Sequence, residues 1–219
     1  MAVRALLFDF DGTIVDSESV DLRSWHEVFE AHGRPLPVER FLLRIGTLNG
    51  PDELDELEAA LGRAVDRTAV TERRIARERE LILLEPLREG IGAYLDDAGT
   101  LGLEVAIVSS STRSWVEGHL VRLGIADGWA CICCADGDRE RCKPSPALYL
   151  EALERLGLGP DEAIAVEDSP NGIAAARAAG IFCVGFPNDV TNALGLSEAD
   201  VVLESLNDVP LADLLERVG

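Results

Sequence analysis

The sequence predicts an α/β fold: a parallel-sheet core into which an all-helical block is inserted. Three observations carry that prediction. A short apolar run at residues 3–8 leads directly into a carboxylate, Asp9, as a buried parallel strand would. The next stretch, to about residue 84, has helical periodicity and nothing that reads convincingly as a strand. From Pro86 onward, strand-like apolar runs alternate with helical ones, the pattern of right-handed βαβ units.

The helical stretch opens at Ser17 with Val20, Trp25, Val28 and Phe29 on one stripe, and Gly33 sits where that helix should stop. Further helices are predicted over 37–45, 51–61 and 68–84, the last carrying the charged run RRIARERE. After Pro86 the predicted strands are 103–108, 130–134, 163–166, 181–185 and 201–203. They interleave with helices over 90–98, 111–123, 144–156, 169–179 and 211–218. Residues 1–16 and 86–219 are therefore expected to form a Rossmann-like α/β catalytic core, and 17–85 a helical cap domain. The cap would sit at the carboxyl end of the first strand, where open α/β sheets build their sites.

Composition excludes several classes. The chain carries 40 acidic residues against 20 basic ones, a net charge of −20, and such a surface repels a phosphate backbone, so no nucleic-acid partner is expected. No apolar run approaches a membrane span. Two carboxylates interrupt the N-terminal run MAVRALLFDFDG and no small-residue cleavage site follows, so a cytoplasmic location is expected rather than export. A monomer is the expected state, with a dimer as the alternative. Cys131, Cys133 and Cys134 form a C-x-C-C cluster that invites a zinc reading. No second Cys or His pair follows at metal spacing, so buried thiols in a core strand are the preferred reading. His26, His32 and His119 share no consistent spacing, and Trp25, Trp115 and Trp129 read as packing groups.

One detail of composition is specific. Lys143 is the chain's only lysine; the other 19 basic residues are arginine. An ammonium is a compact point charge and a guanidinium a planar fork, so a site built for one does not readily accept the other. Replacement by arginine is expected to harm chemistry while leaving stability nearly unchanged.

Four short segments end or follow predicted strands and should meet at one edge of the sheet. In FDFDGTIVDSE, Asp9 and Asp11 are two apart, which in extended chain points both carboxylates the same way. Gly12 allows a tight turn and Thr13 adds a hydroxyl. Two such carboxylates suit a hard cation, or one attacks while the other moves protons. In AIVSSS, Ser109 lies just past a strand with a helix opening behind it, which suits an oxyanion. Lys143 precedes Pro144, a residue suited to a first helical position, and in AVEDSPNG the pair Glu167 and Asp168 ends a strand.

In this order and approximate spacing, DFDGT, the strand ending in Ser109, KPSP and VEDSPNGI resemble the haloacid-dehalogenase-like superfamily across essentially the whole chain. The inserted helices resemble its helical-cap subgroup, which contains β-phosphoglucomutase and many small-molecule phosphatases. The resemblance implies that Asp9 is a nucleophile forming an aspartyl-phosphate and Asp11 the general acid/base. It implies that Ser109 holds the transferring group and Lys143 neutralises it. Glu167 and Asp168, with the Asp9 carboxylate and the Asp11 carbonyl, would bind Mg²⁺. Gly12, Thr13 and Ser110 adjoin these motifs as substrate-side candidates. Arg44 and Gly46 from the cap, and Ser111 and Arg113 behind Ser109, are candidates for the remote part of a small phosphorylated metabolite. The expected function is a Mg²⁺-dependent phosphatase. A phosphosugar mutase is the alternative, weakened because Asp21 stands where the mutase pattern has a histidine. A non-catalytic binding protein on the same fold is the alternative of another class.

Overall fold

The computed structural model describes residues 2–47 and 50–218; Met1, Leu48, Asn49 and Gly219 lie outside the described residues. Six parallel strands, β1 (Ala5–Phe8), β2 (Glu104–Ser109), β3 (Cys131–Cys134), β4 (Ala163–Glu167), β5 (Phe182–Gly185) and β6 (Val201–Val202), form one sheet in the order β3-β2-β1-β4-β5-β6. Strand β1 is central: Leu6 registers with Val105 on one side and Ile164 on the other. The strand order runs outward in both directions from the β1–β4 pair, so the switch point of the sheet lies between the ends of those two strands.

Both faces of the sheet are covered, as continuous apolar strands require. Leu6, Phe8, Ile107 and Val166 face one way, against α5 (Ile91–Leu101), α6 (Arg113–Leu123) and α9 (Leu211–Val218). Ala5, Leu7, Ala106 and Ala165 face the other way, against α7 (Ala147–Leu156) and α8 (Pro170–Ala178). This period of two also separates the cysteines. Cys134 belongs to the first face and Cys133 to the second, so these two thiols do not converge on one ion. All five cysteines are thiols.

Between β1 and α5 lie α1 (Ser17–Ala31), α2 (Val38–Leu42), α3 (Glu53–Leu61) and α4 (Arg67–Ile82). Trp25, Val28, Phe29, Phe41 and Leu57 give these helices an apolar cluster of their own, closed on one side by Val190. Aspartates cap three of them: Asp16, Asp52 and Asp66 accept from Ser19, Leu54 and Ala69 backbone N–H groups at 3.1, 2.8 and 3.1 Å. Among the described residues, no helix is long and apolar enough to cross a membrane.

Several predicted boundaries shift by up to three residues, with α2 ending at Leu42 rather than 45 and α5 running to Leu101 rather than 98, and one shift bears on the site. Pro144 does not open a helix: the Lys143–Pro144 peptide is cis, and α7 begins only at Ala147, with Pro146 in the cap position. Ser145 N–H closes a turn on the Cys142 carbonyl at 3.0 Å, so KPSP is a loop that delivers Lys143 to the edge of the sheet.

Candidate active site

The carboxyl ends of β1 and β2 open beneath the inserted helices on a cleft of about 430 Å³, and the end of β4 and the 143–146 loop pack against Asp9 behind it. Asp9, which follows β1, lines the cleft and is 4% exposed; behind it Lys143 is 1% exposed and Glu167 and Asp168 are fully buried. Lys143 Nζ contacts Asp9 Oδ1 directly and lies 2.7 Å from Glu167 Oε1. The Tyr149 hydroxyl donates to the same Glu167 oxygen. Asp168 Oδ2 accepts from Asn188 Nδ2 at 2.9 Å.

Three buried carboxylates here face one ammonium. Burial pushes the Asp9 carboxyl up to about 8, with Lys143 pulling the other way and Glu167 adding to the rise. Burial, then Asp9 and Glu18, push Asp168 well above the ordinary range. Burial opposes the charge on Lys143, but Asp9 and Glu167 outweigh it and hold the ammonium firmly protonated. One oxygen each of Asp9, Glu167 and Asp168 lie within 4.8 Å of one another. Glu167 Oε2 and Asp168 Oδ1 are buried without a hydrogen-bond partner among the described residues. An all-oxygen donor set, excess negative charge and two orphaned oxygens fit a small hard cation.

Local backbone makes the site compact. Gly12 has φ +77°, and a Cβ there would lie 2.0 Å from Asp168 Oδ2. Glycine is thus required both for the turn and for the close approach of the two motifs. The Arg88 guanidinium donates to the carbonyls of Gly12, Phe186 and Pro187 and stacks 3.6 Å from the Phe186 ring centroid, tying both loops together.

Asp11 lies in the cleft wall beside Ser109, Ser110 and Ser111. Ser109 Oγ is 3.4 Å from Asp11 Oδ2 and accepts from Ser111 N–H at 3.0 Å. Ser110 Oγ donates to the Gly46 carbonyl at 3.1 Å and accepts from Lys143 N–H at 3.1 Å, linking the inserted helices to the lysine loop. Gly46 packs on Ser169, and a Cβ at Gly46 would meet Ser169 Oγ at 2.3 Å. Arg44 lines the roof; it contacts Asp21 directly and Glu53 at 3.1 Å, while Arg74 reaches the other Asp21 oxygen at 2.7 Å.

Three sequence expectations are corrected. Arg113 is not brought to the cleft: its guanidinium donates to the Ile132 carbonyl at 2.6 Å and to Glu117 at 3.3 Å, outside the site. Trp115 is not a simple packing group: it lines the cleft, and its indole N–H donates to Asp11 Oδ1 at 2.9 Å. Trp129 does pack, edge-on to Phe8, and Trp25 lies in the cluster of the inserted helices. Thr13 is fully buried, with no hydrogen-bond partner for Oγ1 among the described residues, and is not part of the cleft lining. Sequence reasoning also passed over Asn188, Arg88 and Tyr149. Asn188 follows the end of β5, so the rule that located Asp9 and Asp168 could have flagged it.

A buried cluster of carboxylates around one ammonium, at the switch point of a parallel sheet roofed by helices, defines an enzyme that handles an anionic group. The chain belongs to the haloacid dehalogenase-like hydrolase family, whose model matches residues 3–180, and it is a phosphoric monoester hydrolase. YhcW of Bacillus subtilis (strain 168), which carries a phosphatase name, is 41% identical over 217 residues, covering 99% of this chain and 98% of that protein. Validoxylamine A 7′-phosphate phosphatase of Streptomyces hygroscopicus subsp. limoneus is 32% identical, with 94% of this chain and 95% of that protein covered. The solved structure of CbbY from Rhodobacter sphaeroides in complex with xylulose-1,5-bisphosphate superposes with a TM-score of 0.77 at 27% identity, covering 97% of this chain and 99% of that one.

Proposed function

We propose that the protein hydrolyses a small phosphomonoester, a sugar phosphate or similar metabolite, with Mg²⁺ and through phosphoryl transfer to Asp9. The observation that carries this reading is the position of Lys143, buried between Asp9 and Glu167, two carboxylates that cluster with Asp168. Bound Mg²⁺, held by Asp9, Asp168, Glu167 and the Asp11 carbonyl, would supply positive charge to neutralise phosphoryl oxygens. Lys143 screens the nucleophile from the incoming anion and fixes its orientation, and the Ser109 hydroxyl and neighbouring backbone N–H groups hold the transferring group. Asp9 attacks phosphorus, and Asp11 gives a proton to the departing alcohol oxygen. It then takes one from the water that releases phosphate from Asp9.

Residues 17–85 act in this reading as a cap over the core formed by 1–16 and 86–219, closing the cleft against water and contacting the rest of the substrate. The names of the relatives support a phosphorylated small molecule: one is a validoxylamine A 7′-phosphate phosphatase and another was solved in complex with xylulose-1,5-bisphosphate. Hydrolysis is favoured over phosphosugar mutation because Asp21 is engaged by both Arg44 and Arg74, leaving it poorly placed to take the part of a proton-donating histidine. Purified protein assayed against a panel of phosphorylated metabolites, including β-glucose 1-phosphate with and without its bisphosphate, tests the reading. Phosphate release that needs Mg²⁺ and is lost in Asp9→Asn supports it; isomerised sugar phosphate as the main product contradicts it.

A further inference from the structure

Asp11 is held in the cleft by three close side-chain donors. Its Oδ1 accepts from Ser17 Oγ at 2.9 Å and from Trp115 Nε1 at 2.9 Å, and its Oδ2 accepts from Ser111 Oγ at 2.6 Å. These donors differ in kind. A serine hydroxyl rotates and trades its partner for water or substrate, whereas an indole N–H is a donor only, and its direction is set by the ring.

The ring itself is fixed. Trp115 packs edge-on to His119, with centroids 4.2 Å apart at 69°, and His119 lies 6.3 Å from Phe10, the residue between the two aspartates. Arg122 Nε donates to His119 Nδ1 at 3.0 Å, and Arg122 Nη1 to the Glu85 carbonyl at 2.7 Å. The indole is thus braced by His119, which Phe10 and Arg122 hold in turn, and presents one donor of set direction to the carboxylate.

We infer that Trp115 is a positioning residue for proton transfer, its indole N–H fixing the orientation of the Asp11 carboxylate. The inference rests on the reading of Asp11 as the acid–base group. A general acid must lie within hydrogen-bond reach of the leaving oxygen. An aspartate that is free to turn about both side-chain torsions spends part of its time aimed elsewhere.

Trp115→Phe keeps an aromatic ring against His119 and removes only the N–H. The discriminating quantity is kcat/KM, which reports on the first chemical step, measured with an alkyl phosphate and with an aryl phosphate whose acidic phenol leaves without a proton. A hydrogen bond to a charged group corresponds to roughly ten- to a hundred-fold in rate. Trp115→Phe should therefore lose that much on the alkyl ester and less than about three-fold on the aryl ester. In an Asp11→Asn background it should cost nothing further on the alkyl ester, because the two residues act as a unit. Equal losses on both esters, an unchanged alkyl rate, or additive losses in the double variant would each overturn the inference. Asp11→Asn alone separates the two claims. If it shows no leaving-group dependence, the reading of Asp11 fails; if it does and Trp115→Phe does not, only the role of Trp115 fails. Unfolding midpoints of all variants identify any loss that comes from misfolding, and Trp115→His supplies a ring N–H as a second test. If Trp115→Phe does not fold, recovery of the alkyl-to-aryl ratio by Trp115→His supports the role, and a ratio as low as that of Asp11→Asn contradicts it.

Discussion

The ammonium of Lys143 stands 2.7 Å from Glu167 Oε1 and in contact with Asp9, so the one lysine of the chain lies between two buried carboxylates. Arginine retains the charge but brings a wider planar group into a site only 1% exposed. Lys143→Arg is predicted to reduce turnover by about 10²–10³, the usual effect of losing one preorganised electrostatic group. Composition alone suggested that stability would be nearly unaffected. The burial of Lys143 changes that expectation: overpacking should cost roughly 1–3 kcal/mol as well. Turnover and denaturant midpoint measured side by side check both parts, and near-normal turnover removes Lys143 from the site.

Gly12 is predicted not to tolerate a side chain. Gly12→Ala combines a strained φ of +77° with a Cβ 2.0 Å from Asp168 Oδ2, so the metal-side carboxylate must move. Calorimetric titration with Mg²⁺ should show binding at least ten-fold weaker than wild type, on the scale of disrupted metal support. Unchanged Mg²⁺ affinity would mean that the Gly12–Asp168 contact does not shape the metal site.

Mg²⁺ should also stabilise the fold, because it would bind the native carboxylate cluster and not the unfolded chain. Chelation should abolish phosphate release and lower the unfolding midpoint, and Mg²⁺ should restore both. Ca²⁺ should restore the midpoint but not the activity, since its larger, looser coordination positions phosphoryl oxygens poorly. Full activity after exhaustive chelation would exclude the proposed role of Asp168 and Glu167.

His119 supplies a pH signature. Burial, and secondarily the Arg122 guanidinium, hold its imidazole below the ordinary value of 6.5, with Asp11 opposing more weakly. The native state therefore binds this proton less readily than the unfolded chain. The associated stability is present above about pH 6.5 and is lost as pH falls through the lowered value. His119→Gln, which keeps an acceptor for Arg122 and does not titrate, should show a shallower fall in unfolding midpoint between pH 7.5 and 5.5. Identical slopes would contradict a buried neutral His119.

Much of this arrangement was legible in the sequence because strands buried on both faces read as continuous apolar runs, and the polar residues at their ends are the ones that gather at the site. Asp9, Ser109 and Asp168 were found by that rule. The lysine was found by composition. What was not legible depends on which face of an element meets the cleft. Trp115 and His119 share one side of α6, and periodicity marks that side as inward without saying that Asp11 lies beneath it. Tyr149 reads as a core residue and is one, yet its hydroxyl reaches Glu167. Arg88 is one arginine among 19, and nothing local shows that its guanidinium will gather three carbonyls. Pro144 was misread because a proline before a helix fits a turn as well as a first helical position.

The central claim is a covalent phosphoryl group on Asp9, and one measurement reaches it directly. Protein mixed with an accepted substrate and Mg²⁺ is quenched in acid within the first turnover, reduced with borohydride, digested and analysed by mass spectrometry. An acyl phosphate is reduced to the alcohol, so residue 9 should appear as homoserine, in an amount that rises and decays with turnover and is absent without Mg²⁺. Asp11 should remain aspartate throughout. Steady phosphate release with residue 9 unmodified at every quench time, under conditions where a burst of alcohol without a matching burst of inorganic phosphate shows that a step between the two limits the rate, would contradict the account.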